Sequence, residues 1–131
     1  TFVPFKLGTY FLEKSTPFVK FTSGNINKPG EFTFGSELKV PPSKKHFKGK
    51  VIVLLNEISQ SQAEYTSMAF RASPNATIVG STTAAADGNV SNINLPGGMS
   101  TMISGIGVYY PDGTETQRIG IVPDVEVKPT I

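Results

Sequence analysis

The stretch KVIVLLNEISQSQAEYTSMAFRASPNATIVG, residues 50–80, decides the fold because it combines a strand, a turn, a capped helix and a second strand. Val51 to Leu55 is an uninterrupted run of valine, isoleucine and leucine, which is typical of a parallel strand covered on both faces. A helix is predicted to follow, since glutamine, alanine, glutamate and methionine replace the β-branched residues from Ser59 onward. Ala76 to Val79 predicts the next strand, and such a unit forms a right-handed parallel crossover.

The start and the end of this helix are marked by local signals. Ser59 with Gln62, and Ser61 with Glu64, form two overlapping capping boxes, each with a hydroxyl that can accept a hydrogen bond from a backbone N–H. Pro74 ends the helix, because proline cannot continue it. We therefore predict that the helix begins between Ser59 and Gln62, with Ser61 at its first turn.

A serine at a strand-to-helix turn has two interpretations. It is most often a simple N-cap residue. It can also be a nucleophile, because backbone N–H groups and the positive end of the helix dipole stabilise an oxyanion at that position. Spacing alone leaves both interpretations of Ser61 open.

Five short motifs follow one another from Ser61 towards the end of the chain. They are Ser61-Gln62-Ala63-Glu64, Gly80 to Thr83, Leu95 to Gly98, Pro111 to Gly113 and Gly120 to Asp124. In order and spacing they resemble the S-x-[SA]-E, G-x-x-T, P-G, P-D-G and G-[IV]-x-P-D signatures of the carboxyl-terminal processing, or tail-specific, serine peptidases. That family also contains the tricorn-type cores, and the resemblance covers most of residues 48–127.

The resemblance implies a fold and a set of residue roles. The fold is α/β, a βαβ core with additional antiparallel strands, like the cores of ClpP and crotonase. The implied reaction is hydrolysis of a peptide bond, in which Ser61 is the nucleophile and the backbone N–H of Gln62 is one oxyanion donor. The family takes its second donor from a glycine of an upstream D-x-R-x-N-x-G-G strand, a motif that this sequence does not contain.

The general base is the point at which the sequence departs from the family. Lysine-dependent members carry their lysine at the position of Ala86, so a serine–lysine dyad of the usual spacing is excluded. Tricorn-type members use an upstream histidine with an acidic residue shortly before the last motif. Glu115 and Gln117 occupy that neighbourhood, and the sequence does not choose between them as the orienting residue. His46, the only histidine, lies among lysines and is interpreted as a loop residue.

Residues 1–47 are rich in aromatic residues and prolines, which favours short strands and turns over helices. Thr16 to Phe21 and Glu31 to Phe34 are the predicted strands. The aromatic side chains either fill the core, which we favour, or form a flap that grips a peptide. Residues 1–47 and the catalytic-core region, residues 48–131, form one predicted domain, the C-terminal portion of a larger peptidase catalytic domain.

Beyond residue 80 the pattern is typical of antiparallel strands. Asn89 to Leu95 and Ser100 to Tyr110 predict a hairpin, and Val125 to Val127 predicts a last strand. Asp87 precedes a glycine, so we interpret it as a turn residue. The alternative is an acid that takes the place of the missing lysine.

Composition and charge limit the classes of function. The formal net charge of +2 is too small to predict a nucleic-acid or anionic-membrane partner, and no apolar run is long enough to span a bilayer. The absence of cysteine excludes disulfides and thiolate chemistry, and no spaced His/Asp/Glu set predicts a metal or another cofactor. The expected partner is a peptide or protein substrate, and a homo-oligomer is left open. The resemblance implies the bacterial cell envelope or periplasm.

A different class of function competes with hydrolysis. A protein of this fold can bind peptides or small hydrophobic ligands without turnover, since fold does not fix function. Ala86 supports that alternative, whereas Ser61 together with Glu64 argues for hydrolysis. The sequence thus predicts a serine-type endopeptidase that is incomplete as this isolated chain, with a catalytically inactive binding module as the alternative.

Overall fold

The computed structural model describes residues 2–128, except for the side chain of Phe2, and has a mixed α/β fold as predicted. Its two α-helices are α1 (Phe2–Lys6) and α2 (Gln62–Arg71), and a 3-10 helix spans Gly8–Phe11. Its strands are β1 (Thr16–Gly24), β2 (Phe32–Phe34), β3 (Leu38–Val40), β4 (Val51–Leu55), β5 (Ala76–Gly80), β6 (Val90–Asn94), β7 (Ser100–Ser104), β8 (Ile106–Tyr109) and β9 (Val125–Glu126). Within residues 2–128 no helix has the length and apolar character needed to cross a bilayer.

A small parallel sheet carries the strand–helix–strand unit. β4 pairs with β5 in parallel, Val51 opposite Ala76 and Leu55 opposite Gly80, and β9 adds in parallel to β5. The predicted parallel pairing of the two strands is therefore confirmed. Glycine is required at the end of β5, because Gly80 has a φ of +137° and a Cβ there would lie 1.8 Å from the Leu55 carbonyl oxygen.

The prediction that β4 is covered on both faces is wrong for the described part of the chain. Its side chains alternate, with Ile52 54% and Leu54 78% exposed, whereas Leu55 is buried. The reason is that α2 packs on one face of the parallel sheet and no described element covers the other. An apolar run of this kind therefore does not establish by itself that both faces are covered within one chain.

Helix α2 lies between the two larger sheets, since it contacts both β1 and β5. Its buried face contributes Tyr65 and Met68 to a core that also contains Phe18 and Ile78. Tyr65 makes an edge-on contact with Phe18, with ring centroids 5.2 Å apart, and stacks on Phe21 at 6.0 Å. This packing fixes the first turns of α2 against β1.

The antiparallel sheet is built around β1, which pairs with β2, β3 and β8. The strands predicted at Thr16 and Glu31 are present, but the preference for strands and turns over helices in residues 1–47 is wrong at α1 and the 3-10 helix. The aromatic residues of this region divide between two environments. Phe18 is in the core, whereas Phe32 and Phe34 are 65% and 59% exposed.

The segment after β5 forms a hairpin, as predicted, from β6 and β7 with Val90 opposite Ser104. The single long strand predicted from Ser100 to Tyr110 is wrong, because the chain leaves the hairpin at Gly105. β8 then pairs with β1, Val108 opposite Phe21. The continuous apolar pattern from Ser100 to Tyr110 therefore covers two strands, β7 and β8, of which the first pairs with β6 and the second with β1.

The final P-D motif has a structural role at the edge of the parallel sheet. Asp124 accepts a hydrogen bond from the Ile78 N–H at 2.7 Å and pairs with Arg71 at 3.2 Å. Arg71 also donates to the Tyr110 hydroxyl, at 3.1 Å, and to the Val122 carbonyl. The motif thereby joins the end of α2 to β5 and to the segment that follows β8.

Candidate active site

Ser61 lies between β4 and α2 in a backbone conformation that is rare for a residue with a side chain. Helix α2 begins at Gln62, with Ser61 as its N-cap residue, so the predicted position of the serine is confirmed. Its φ is 52° and its ψ is −118°, and the residue is exposed. Such a conformation costs about 1–3 kcal/mol and persists only where the surroundings impose it.

Of the two predicted capping boxes, the one formed by Ser61 and Glu64 is present and the one formed by Ser59 and Gln62 is not. The Ser59 hydroxyl accepts a hydrogen bond from the Asn56 N–H at 3.2 Å and donates to Asn56 Oδ1 at 3.1 Å, so it closes the preceding turn and does not cap the helix. The Ser61 N–H donates to Glu64 Oε2 at 2.9 Å, and the Ser61 side chain faces the Glu64 N–H, so the two residues form the reciprocal box.

The carboxylate of Glu64 is fully buried and accepts four hydrogen bonds. Oε2 accepts from the N–H of Ser61 and, at 3.1 Å, from that of Ala86. Oε1 accepts from the N–H of Ala85 at 3.0 Å and from the Thr83 hydroxyl. All donors but Ser61 belong to the loop after β5, so one side chain joins the nucleophile turn to that loop.

The three motifs of this region meet at Thr83. The Thr83 hydroxyl donates to Glu64 and accepts from the Ile121 N–H at 2.7 Å. Gly120 has a φ of +84°, and a Cβ there would lie 2.9 Å from the Thr83 carbonyl oxygen. The S-x-[SA]-E, G-x-x-T and G-x-x-P-D motifs are thus parts of one packed arrangement beside Ser61.

A cavity of about 450 Å³ opens beside Ser61. Most of its wall is apolar or aromatic, and its lining residues are Phe5, Phe21, Leu38, Ser61, Gln62, Tyr65, Asp87, Gly88, Asn89 and Val108. Phe5 and Phe21 also pack against the core, so they combine the two roles that the sequence left open for the aromatic residues. A mostly apolar cavity with a few polar groups is typical of a ligand site.

Asp87 is a buried acid in the wall of this cavity. Its Oδ1 accepts the Gly88 N–H at 2.7 Å, whereas its Oδ2 is buried without a hydrogen-bond partner. Burial, opposed by the Gly88 hydrogen bond and supported by the nearby Glu64 carboxylate, raises the pKa of Asp87 to about 6. The prediction that Asp87 is a turn residue explains the hydrogen bond to Oδ1, but it does not explain why Oδ2 is buried without a partner. The signal in the sequence was that this acid directly follows Ala86, the position at which lysine-dependent members of the family carry their lysine.

The structure separates the two candidates for the orienting residue. Gln117 donates from Nε2 to the carbonyl oxygens of Asp87, at 2.8 Å, and Ile106, at 3.0 Å, and accepts from the Val108 N–H. Its amide thereby holds the Asp87 loop against β8. Glu115 instead pairs with Arg118 through both carboxylate oxygens, at 2.8 and 2.9 Å, and lines a different cavity.

A general base is not evident among residues 2–128. Within these residues the backbone of Ser61 bonds to Glu64, Ala86 and Tyr65, and its side chain faces the Glu64 N–H in the capping box, so none of these contacts offers the hydroxyl a base. Ala86 is exposed in the loop beside Ser61, and His46 lies in the segment between β3 and β4, outside the cavity lining. In the same part of the chain no group of His, Asp and Glu side chains is arranged to hold a metal ion.

The fold is shared with several solved structures. A structure from Parabacteroides merdae ATCC 43184 superimposes with a TM-score of 0.88 at 26% identity, over 97% of this chain and 40% of its own. Mature CPAF in complex with lactacystin superimposes with a TM-score of 0.76 at 15% identity, over 94% of this chain and 36% of its own. The photosystem II D1 C-terminal processing protease superimposes with a TM-score of 0.69 at 16% identity, over 95% of this chain and 30% of its own. The chain therefore spans less than half the length of each.

No curated protein sequence matches the chain. The sequence model of peptidase family S41, by contrast, matches residues 7–127, which include the Ser61 turn, the loop after β5 and the final P-D motif. Since the match extends over nearly the whole sequence and the fold agrees with that of a C-terminal processing protease, the chain belongs to peptidase family S41.

Proposed function

We propose that the chain carries the nucleophile of a serine endopeptidase and that Ser61 attacks the scissile carbonyl of a peptide substrate. The observation that carries the proposal is the backbone of Ser61, an exposed serine held at φ 52° at the start of α2 and beside a mostly apolar cavity. A plain N-cap needs no such conformation, because cap residues ordinarily lie in the β region. Strain of this kind concentrates at functional sites.

The chemistry assigned to this chain is limited to two groups. The Ser61 Oγ forms the bond to the carbonyl carbon, and the backbone N–H of Gln62, in the first turn of α2, stabilises the oxyanion with the positive end of the helix dipole. The general base and the second oxyanion donor belong, in this proposal, to the rest of the protein. The orienting residue, Glu115 or Gln117, remains a prediction; the contact between Gln117 and the Asp87 loop favours Gln117 as the one nearer the site.

As part of this proposal, the chain is the C-terminal portion of a larger peptidase catalytic domain, called here the longer protein. The experiment is hydrolysis of an unstructured protein substrate by that longer protein. Ser61→Ala should abolish turnover, because it removes the nucleophile and leaves the start of α2 nearly unchanged. Ser59→Ala is the matched control, since that hydroxyl lies in the same turn but bonds to Asn56. Lys128→Ala should leave turnover undiminished. Full turnover by folded Ser61→Ala protein would refute the proposal.

The isolated 131-residue chain should show little or no turnover. A serine with no activating base is a poor nucleophile, and loss of one oxyanion donor costs about 10²- to 10³-fold in kcat. An isolated chain as fast as the longer protein would instead mean that the base lies within these residues.

The second candidate function is binding without turnover. It is favoured by the mostly apolar cavity, which suits a peptide or a small hydrophobic ligand. Saturable binding of a peptide to the longer protein, with no cleavage and no effect of Ser61→Ala, would support it. A cell-envelope location is a part of the proposal that rests on family resemblance, and cell fractionation tests it. A homo-oligomer is left open, and sedimentation of the protein tests it.

A further inference from the structure

The four hydrogen bonds to Glu64 exceed what a helix cap requires. A capping box accounts for the bond from the Ser61 N–H to Oε2. It does not account for the bonds from Thr83, Ala85 and Ala86, which come from the loop after β5. The carboxylate therefore acts as an anion enclosed by protein donors from two segments.

The negative charge of Glu64 is offset by dipoles. None of the ion pairs formed within residues 2–128 includes it. Ala85 has a φ of +59°, and the successive N–H groups of Ala85 and Ala86 both point at the carboxylate, which is the geometry of a backbone anion nest. A neutral amide in this position would turn its NH₂ group towards some of these N–H donors.

The same carboxylate bears directly on the strained residue. The Ser61 N–H has two acceptors, Glu64 Oε2 at 2.9 Å and the Ala86 carbonyl oxygen at 3.1 Å. Glu64 also holds the Ala86 N–H, so it fixes both partners of the Ser61 N–H at once. Without it, the Ser61 N–H would keep only the Ala86 carbonyl oxygen as an acceptor, on a loop that would have lost its own bonds to Glu64.

We propose that Glu64 is the positioning residue for Ser61, holding the nucleophile in its attacking orientation through the Ser61 N–H and the Ala86 loop. The inference rests on the proposed function, since it assigns to Glu64 a role in the reaction of Ser61. Glu64 is fully buried and acts through the backbone of its neighbours. Its loss should therefore lower kcat much more than it raises KM.

The experiment compares Glu64→Gln with three variants of the longer protein. Glu64→Asp keeps the charge but shortens the reach. Thr83→Val removes the hydroxyl that donates to Glu64 Oε1 and accepts from the Ile121 N–H, but it leaves the Oε2 contact with Ser61. It therefore lowers stability without removing the contact that positions Ser61. Glu57→Gln is the matched control, because Glu57 lies in the same turn and accepts from the Ser81 hydroxyl. The readouts are kcat, KM, urea stability and the rate of labelling by a serine-reactive phosphonate.

Glu64→Gln should lower kcat and the labelling rate by about 10²-fold, as expected for a misplaced reacting group, with KM little changed. Glu64→Asp should recover part of both, whereas Thr83→Val and Glu57→Gln should stay near the parent. Equal kcat losses in Glu64→Gln and Thr83→Val at equal stability would overturn the inference. If Glu64→Gln does not fold, an unchanged labelling rate in Glu64→Asp overturns it. Turnover in Ser61→Ala would instead refute the proposed function itself.

Discussion

The buried carboxyl of Asp87 should make the protein less stable at neutral pH than at mildly acidic pH. Burial raises its pKa from 3.8 to about 6, so the folded state holds the proton over a pH range in which the unfolded chain has lost it. The stability contributed by the protonated form is present below the unfolded pKa. It is lost as the pH rises through about 6.

Asp87→Asn removes this titration, and the size of the effect follows from the pKa difference. A shift of roughly two pKa units at about 1.36 kcal/mol each gives about 3 kcal/mol, of which about 2–3 kcal/mol falls between pH 4 and pH 7.5. The free energy of unfolding of Asp87→Asn minus that of the parent should therefore increase by about 2–3 kcal/mol from pH 4 to pH 7.5. The groups facing the carboxyl are Glu64, Tyr65 and the Gly88 N–H, and all are retained in the variant.

Urea unfolding followed by circular dichroism at both pH values measures the difference. Asp112→Asn is the matched control, because hydrogen bonds from Thr114 lower the pKa of the exposed Asp112 carboxyl. Its stabilising contribution is present above the unfolded pKa and is lost as the pH falls, so the effect of Asp112→Asn should have the opposite sign. An Asp87→Asn protein whose advantage is the same at both pH values, or larger at pH 4, would refute the reasoning.

Two further predictions concern stability and are checked by thermal melting. Gly80→Ala should destabilise the protein by about 3 kcal/mol or more, since the new Cβ meets the Leu55 carbonyl oxygen at 1.8 Å in a strained conformation. Gly105→Ala, where nothing lies within 4 Å, should change stability by about 1 kcal/mol at most, and equal effects would contradict the argument. Asp124→Ala should cost about 1–3 kcal/mol, because it leaves the Ile78 N–H without its acceptor and Arg71 without its ion pair. Glu126→Ala, which removes an exposed pair with Lys128, should change stability little, and a larger loss there than at Asp124 would contradict the assignment.

Local patterns in the sequence predicted the elements that position Ser61. The apolar run from Val51 to Leu55 predicted β4. The serine-rich turn predicted a helix start between Ser59 and Gln62, and α2 begins at Gln62. Both follow from signals that lie within a few residues of one another. The same applies to β5, whose parallel pairing is dictated by the crossover.

The features that the sequence missed depend on distant partners. Whether Leu54 is exposed, and where the strand after Ser100 is divided, depends on which element packs or pairs with each strand. The order of apolar and polar residues along one strand does not identify that neighbouring element. Burial of Asp87 depends on Gln117, whose amide holds its loop against β8. The enclosure of Glu64 likewise requires a loop that follows another strand, so a capping box was the only signal visible in advance.

Covalent labelling tests the central claim, that Ser61 is the nucleophile, most directly. The longer protein is treated with a serine-reactive phosphonate, and the modified residue is identified by peptide mass mapping. The account predicts one adduct, on Ser61, that blocks hydrolysis and is absent from the Ser61→Ala variant, while Ser59→Ala labels at the parental rate. Blocked hydrolysis with the adduct on another residue and Ser61 unmodified would contradict it.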